Sequence, residues 1–270
     1  MVKKIVSPLL GLALVLCSFW ARAEEPIPAE AYHPKSISVQ DLYDEAVLYR
    51  EKGELLKAAD LYRTILNAHP DLADFNVIQK ELDSLNLKMI TTPYPGPQSV
   101  EYTILSGDTL GKIAKKFSTT VELIKMRSRL NSDQIRAGEK ISVWTEPFNI
   151  LIDKAHNKLF LKNAETVVKV YDVSTGKQET TTPTGEFTIT SRYTDPVWFH
   201  RGVVVPPGTP KNFLGTRWLG FDKPGYGIHG TIEPQLIGKS VSGGCVRMRN
   251  EDVEEIYNLI PTGTKVVITE

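Results

Sequence analysis

Apolar positions recur at helical spacing through residues 39–88 and at strand spacing from residue 148 onward. The chain therefore divides into an α-rich front and a β-rich back. Leu42, Ala46 and Tyr49 fall on one helix face, and Gly53 interrupts the pattern. Leu55, Ala58, Ala59, Tyr62, Ile65 and Leu66 form a second stripe that ends before Pro70. A further helix is expected over residues 74–87. Two helices of this size cannot bury a shared face by themselves, so the third helix or a partner must cover it.

Residues 91–99 read TTPYPGPQS, whose prolines and glycine predict a stiff, extended linker. A compact βααβ unit follows over residues 100–145. Its first strand is expected at 102–105, then a turn, Ser106-Gly107-Asp108-Thr109, with Asp108 or Thr109 as N-cap. Leu110, Ile113, Ala114 and Phe117 give the next helix its apolar face. A second helix starts at Val121 and a second strand at Lys140. In residues 147–270 the β-branched runs 150–152, 158–161, 167–173, 186–191 and 265–269 read as strands. The only clear helix there spans 251–259, capped by Asn250 and stopped by Pro261. The fold expected is multidomain α+β: an α-helical N-terminal region (38–90), the βααβ domain, and a mainly-β domain forming a small sandwich or barrel with one late helix. Residues 191–225 carry Trp198 and Trp218 among prolines and glycines. Core packing by the tryptophans is favoured there over a lid folded across a site.

The first residues bear on compartment. Lys3 and Lys4 precede an apolar run at 5–20, and Ala21-Arg22-Ala23 offers small residues at the two positions a signal peptidase reads. A secretory leader over 1–23 is expected, followed by a proline-containing tether, 24–37. That implies a periplasmic or cell-envelope protein with no stable membrane anchor once the leader is removed. Bulky Leu16 before Cys17 argues against a lipoprotein signal. Of the 2 cysteines, only Cys245 then remains, and it cannot form an intramolecular disulfide. Lys plus Arg number 32, and Asp plus Glu number 32, so no net charge favours nucleic acid.

The residues between Tyr226 and Asn250, YGIHGTIEPQLIGKSVSGGCVRMRN, concentrate the candidate chemistry. Cys245 follows Gly243 and Gly244, where missing side chains let a carbonyl approach the backbone and let N–H groups face an oxyanion. A thiol of pKa about 8.5 needs a base or a cation to ionise at neutral pH. His229, next to Gly230, is the best placed base. Arg247 is placed to steady a thiolate or hold a carboxylate, and Tyr226 to contact substrate. A buried, inert cysteine remains the rival reading of these residues alone. Zinc is not expected, since a structural site takes about four ligands.

Three resemblances sharpen this. Ala46, Tyr49, Gly53, Ala58, Tyr62 and Pro70 match a tetratricopeptide repeat in its small, aromatic, turn and stop positions, so the helical region resembles one such repeat, which implies either a docking surface for a protein partner or a small helical bundle used as a spacer. YTILSGDTLGKIAKKF with NSDQIRAGEKISV resembles a LysM domain. That implies binding of N-acetylglucosamine-containing glycans by loops holding Gly107, Asp108, Thr109, Ser132, Asp133 and Ile135. The unit departs from the family at Ser128-Arg129, where Asn-Gly is usual; it carries eight Lys or Arg against five Asp or Glu. Finally, His229-Gly230 with Ser242-Gly243-Gly244-Cys245-Val246-Arg247, supported by TPTGEFTI and NFLGTRWLGF, resembles the L,D-transpeptidase (YkuD) catalytic domain. Many members have a second histidine where this chain has Gly243.

The last resemblance implies a cysteine acyltransferase that needs no metal or cofactor. The same resemblance implies peptidoglycan as substrate, Cys245 as nucleophile and His229 as base, with a backbone carbonyl near Gly230 or Ser242 expected to orient the imidazole and amides at 243–245 expected to form the oxyanion site. An amine acceptor makes it a transpeptidase and water a carboxypeptidase. The rival class is a non-catalytic wall-binding protein working through the LysM unit.

Overall fold

The structure is a computed structural model that describes residues 38–200 and 202–270. The expected leader and tether, residues 1–37, lie outside the described residues. Among the described residues no helix is long and apolar enough to cross a membrane.

Three helices come first: α1 (Val39–Glu51), α2 (Leu55–Ala68) and α3 (Phe75–Thr91). Ser38 opens α1 with a capping box, accepting from the Asp41 N–H at 3.0 Å while the Asp41 carboxylate accepts from the Ser38 N–H. Ala46, Ala58, Ala59, Tyr62 and Ile65 are buried in one cluster with Ile78, Leu82 and Leu85 of α3. The third helix thus supplies the cover that the first two required.

α3 runs on to Thr91 rather than ending at 87, because Ile90 is buried in the C-terminal core. The proline-rich stretch after it is a packed strut. Tyr94 lies against the helical core, and its carbonyl accepts from Arg127 at 3.3 Å.

The βααβ unit comprises β1 (Ser99–Thr103), α4 (Leu110–Lys116), α5 (Val121–Ser128) and β2 (Lys140–Trp144). β1 and β2 pair antiparallel, from Ser99 opposite Trp144 to Thr103 opposite Lys140. β1 starts and stops earlier than the pattern suggested. Asp108 Oδ2 takes the Leu105 N–H at 2.9 Å and closes the turn before residue 105 can pair. Thr109 and Thr120 cap α4 and α5 through their hydroxyls.

The C-terminal domain contains β3 (Phe148–Asp153), β4 (Lys158–Asn163), β5 (Thr166–Asp172), β6 (Thr175–Gly176), β7 (Gly185–Thr194), β8 (Trp198–His200), β9 (Val203–Val205), β10 (Arg217–Phe221), β11 (Gly227–His229), β12 (Ser240–Ser242), β13 (Val246–Arg247), α6 (Asn250–Leu259) and β14 (Lys265–Thr269). Eight strands form one sheet in the order β13-β11-β10-β7-β14-β3-β4-β5, and two-stranded ribbons pair β12 with β6 and β8 with β9. α6 packs on the sheet through Val253, Ile256 and Leu259, all buried with Ile150, Leu161, Leu219 and Val246. Arg249, not Asn250, occupies the N-cap position of α6, and it makes no side-chain capping bond. Asn250 is drawn away because its Oδ1 accepts from two loop amides described below. The tryptophans of 191–225 separate: Trp218 joins β10, while Trp198 packs edge-on against Phe213 with ring centroids 5.6 Å apart. The β8–β9 ribbon leaves Phe199 75% exposed.

The three parts are packed into one body. Leu123 of α5 and Trp144 of β2 are buried in the C-terminal core, and the Thr120 hydroxyl donates to the Asn258 carbonyl. α3 covers the edge strand β5: Asn86 Nδ2 donates to the Val168 carbonyl at 2.9 Å, and Asp83 Oδ2 faces the Val170 N–H at 3.5 Å. Side chains spaced one helical turn apart thus answer the unpaired edge of the sheet. Burial raises the Asp83 carboxyl to about 6, against the pull of its bond from Gln79. With the folded pKa above the unfolded one, this group's favourable contribution is complete below pH 3.8 and is lost as pH rises through about 6. Asp83→Asn keeps an acceptor for Val170 and removes the buried charge. It is expected to stabilise the protein at pH 7.5 by roughly 2 kcal/mol and to have little effect at pH 4. Urea denaturation at the two pH values checks this; an equal effect at both would refute it.

Candidate active site

β10, β11 and β13 lie together at the end of the sheet away from β5. β11 pairs parallel with β13, placing Ile228 beside Val246 and His229 beside Arg247. β10 pairs antiparallel with β11, placing Trp218 opposite His229. Ile228, Val246 and Leu219 are in the core, so strand alternation sends His229, Arg247 and Trp218 to the opposite face in one cross-strand row. The indole and imidazole stack, with centroids 5.8 Å apart and planes 20° off parallel. Trp218 was not singled out from the sequence as a site residue. Its signal was the alternation of Leu219 and Phe221 as core positions, which leaves Trp218 on the histidine's face.

His229 is 4% exposed. Its Nδ1 sits 2.6 Å from the Gly230 carbonyl. A carbonyl only accepts, so Nδ1 carries the proton and Nε2 keeps the basic lone pair. Burial drives this imidazole down to about 4; the nearby Arg247 charge works the same way, while the Gly230 and Leu214 carbonyls oppose it. His229 is therefore neutral across the physiological range.

Cys245 is half-buried one residue before β13, and extending the strand register by one pair sets it beside Gly227. The thiol donates to the Gly225 carbonyl at 3.4 Å. Burial raises its pKa, against the Gly227 amide and the Arg247 charge, which favour the thiolate. The resting thiol and imidazole are both neutral.

Ser242 shapes the turn that presents the thiol. It is buried, donates to the Cys245 carbonyl at 2.6 Å and accepts from the Gly244 N–H at 3.1 Å. The Ser242 carbonyl is itself taken by the Lys177 N–H at 3.2 Å and the Thr180 hydroxyl at 2.9 Å. Of the two carbonyls considered for holding the imidazole, Gly230 is the one in contact with it. The Gly244 N–H, one of the three amides expected as oxyanion donors at 243–245, is bound to the Ser242 hydroxyl. Gly244 has φ +117°, and a Cβ there would come within 3.0 Å of the Tyr226 ring. Tyr226 thus walls the turn next to Cys245. A Cβ on Gly243 would meet nothing within 4 Å, so the protein itself makes no demand for glycine there.

Two further residues, Glu233 and Asn250, were not expected at the site from the sequence, where Asn250 was read only as a helix cap. Glu233 Oε2 holds Arg247 at 3.3 Å. Asn250 Oδ1 accepts from the N–H groups of Thr216 at 3.3 Å and Thr231 at 3.1 Å. It lies so close that a Cβ on Gly230 would be 2.2 Å from it. Asn250 thereby ties the turn after His229 to the turn before β10. Asn250→Leu removes the acceptor and strands two amides, which is expected to lower stability by roughly 2–3 kcal/mol. Asn250→Asp, which still accepts twice, should lose much less in the same denaturant titration; equal losses would contradict the assignment.

The candidate glycan residues sit on the two loops of the βααβ unit. Gly107, Thr109, Ser132 and Asp133 are exposed. Asp108 is occupied internally: its carboxylate accepts from Leu105 N–H and from the Tyr102 hydroxyl at 2.8 Å, and these bonds hold its pKa below the ordinary value. Asp133 is paired with Lys125 at 2.6 Å, and Ile135 packs against the small core of the unit.

Residues 147–268 match the family model of the L,D-transpeptidase catalytic domain (YkuD), and residues 102–144 match that of the LysM domain. A Bacillus licheniformis protein named for L,D-transpeptidase YkuD is 38% identical over 175 residues, which is 62% of this chain and 98% of that protein. A Bacillus subtilis protein named for L,D-transpeptidase YqjB is 41% identical over 126 residues, 45% of this chain and 70% of its own length. Among solved structures, an L,D-transpeptidase from Mycobacterium smegmatis aligns over 49% of this chain and 64% of its own, at 19% identity and a TM-score of 0.41.

Proposed function

The chain belongs to the L,D-transpeptidase family, and on that premise we propose that it transfers peptidoglycan stem peptides through a thioester on Cys245. The observation that carries this reading is the placement of a presented thiol, two residues before Arg247, on the same face of the β11–β13 pair as a buried, neutral histidine whose Nδ1 proton is pinned to Gly230. With both groups neutral at rest, His229 Nε2 removes the thiol proton as sulfur attacks the donor carbonyl. Low local polarity disfavours a standing thiolate–imidazolium pair, so charge develops only along the reaction coordinate.

The donor carbonyl belongs to the L-centre of diaminopimelate, third residue of a tetrapeptide stem. Sulfur bonds to it, and its oxygen takes the negative charge, stabilised by the Gly243 and Cys245 amides. The C–N bond to D-Ala then breaks as imidazolium returns its proton to the leaving amine. An acceptor amine, deprotonated by the same imidazole, attacks the thioester; the C–S bond breaks, the new amide closes, and the imidazolium returns its proton to the Cys245 thiolate. Arg247, held by Glu233, offers a cation for a donor carboxylate, and Tyr226 lines the approach. The LysM unit binds the glycan strand, consistent with a cell-envelope location.

The test is intact-protein mass spectrometry with a tetrapeptide donor or a carbapenem. A covalent adduct on Cys245 is expected. Folded wild-type protein that stays unmodified by both would sink the proposal. Product analysis with and without an amine acceptor then separates transfer from hydrolysis.

A further inference from the structure

α5 ends in an unusual way. Arg129 adopts φ 54° and ψ 40°, the left-handed conformation that closes a helix and that glycine adopts without strain. The motif around it is complete, since the Leu130 N–H reaches back to the Lys125 carbonyl at 2.9 Å. An L-residue with a long side chain is therefore held where glycine sits without strain; Ser118, Asn157, Ala164 and Asp195 share that region, so a role for Arg129 needs a further ground.

The surroundings supply one. Arg129 lines a groove of about 580 Å³ between the strut and the β1–β2 ribbon, with Tyr94, Arg127, Ser128, Lys140 and Glu101 also on its walls. That volume lies within the range of small-ligand pockets. Lys140 is neutralised by Glu101 at 2.7 Å. Arg127 is 1% exposed, and its contacts are neutral oxygens: the Ser142 hydroxyl at 3.2 Å and the carbonyls of Met89, Ile90 and Tyr94. Among the described residues, neither Arg127 nor Arg129 forms an ion pair with a carboxylate. The groove thus holds two arginines without counter-charge, one buried and fixed, the other exposed and free to reach a ligand. The Ser128 hydroxyl accepts from the Ser142 N–H at 3.0 Å and donates to the Ser142 carbonyl at 3.2 Å, so it shapes the wall without adding a free donor.

We propose that this groove is an anion site that binds a peptide carboxylate on the wall polymer; its lining includes none of the candidate glycan residues at 107–109 and 132–135. A guanidinium matches a carboxylate in shape and charge, and the desolvated Arg127 raises the positive potential in which Arg129 works. The ring of Tyr94 gives the attached chain an apolar surface. The identity of the ligand rests on the reading of peptidoglycan as substrate; the groove and its charge do not.

The experiment measures retention on immobilised glycan strands in three forms: with intact peptide stems, with stem carboxylates converted to amides, and with stems removed. Wild-type protein should bind the first form more tightly than the other two. Arg129→Gly should bind intact stems roughly tenfold less tightly, and the other two forms as before. Its thermal midpoint should stay level or rise, because glycine relieves the left-handed backbone. Arg129→Lys should retain most of the binding. The proposal is overturned if Arg129→Gly keeps full affinity for intact stems, or if it loses affinity equally for all three forms. Carbapenem acylation of Cys245, followed in the same samples, should be equal in wild type and variants. Its failure in wild type would count against the proposed activity and leave the binding result standing.

Discussion

Replacing Cys245 by alanine is expected to abolish the covalent adduct and to lower turnover by on the order of 10⁵–10⁶-fold, the scale seen when a catalytic nucleophile is deleted. No other group at the site can form the thioester. His229 is buried with one nitrogen already committed to Gly230, and the Thr180 hydroxyl is bound to the Ser242 carbonyl. The fold should survive. The thiol makes one weak contact, with the Gly225 carbonyl, and the turn that presents it is held by Ser242 and by backbone. Loss of a half-buried sulfur costs about 1 kcal/mol or less. Mass spectrometry and a thermal melt on the same preparation check both halves of the claim. An adduct in the alanine variant would place the nucleophile elsewhere.

His229→Ala is expected to slow acylation by roughly 10²–10⁴-fold without eliminating it, because the thiol remains and only proton transfer is impaired. The pH profile separates this from simple damage. In wild type the imidazole titrates near 4, so the acid limb of kcat/KM should fall there, well below the ordinary histidine value of 6.5. The same depression links to stability. Between pH 6.5 and 4 the unfolded chain binds a proton that the folded chain refuses. Stability is thus full above pH 6.5 and declines by roughly 3 kcal/mol as pH falls through 4. The alanine variant should lose both the acid limb and this part of the acid sensitivity. It should also be less stable at neutral pH, since the Trp218 ring loses its stacking partner and Gly230 its donor. A variant whose acid limb still lies near 4 would assign that titration to another group.

Much of this protein was legible in its residues. The helix faces of 39–88, the βααβ pattern, the five long strand runs and the late helix all depend on local periodicity, which a linear sequence carries. The signature around His229 and Cys245 pointed to the L,D-transpeptidase family, to which the chain belongs, because a motif of fixed residue types at a fixed spacing is carried by the linear sequence. Element ends were read less well. α3 extended because Ile90 found a core contributed by a distant segment, and Asn250 abandoned its expected cap because two loop amides lay within reach.

Other features existed only after folding. That Gly230 and not Ser242 offers its carbonyl to His229 shows only in the fold, where Lys177 and Thr180 occupy the Ser242 carbonyl. The stacking of Trp218, the grip of Glu233 on Arg247 and the depressed histidine pKa all arise from residues brought together across strands. Desolvation and charge act through space, and no spacing along the chain encodes them. The groove at Arg129 shows the division well. The sequence marked Ser128-Arg129 as a departure from its family, but only the tertiary structure showed a strained arginine beside a second one without counter-charge. By itself the sequence determined which residue types and local elements are present and which family they belong to. The distances, burial and fields that give those residues their chemistry were decided by packing.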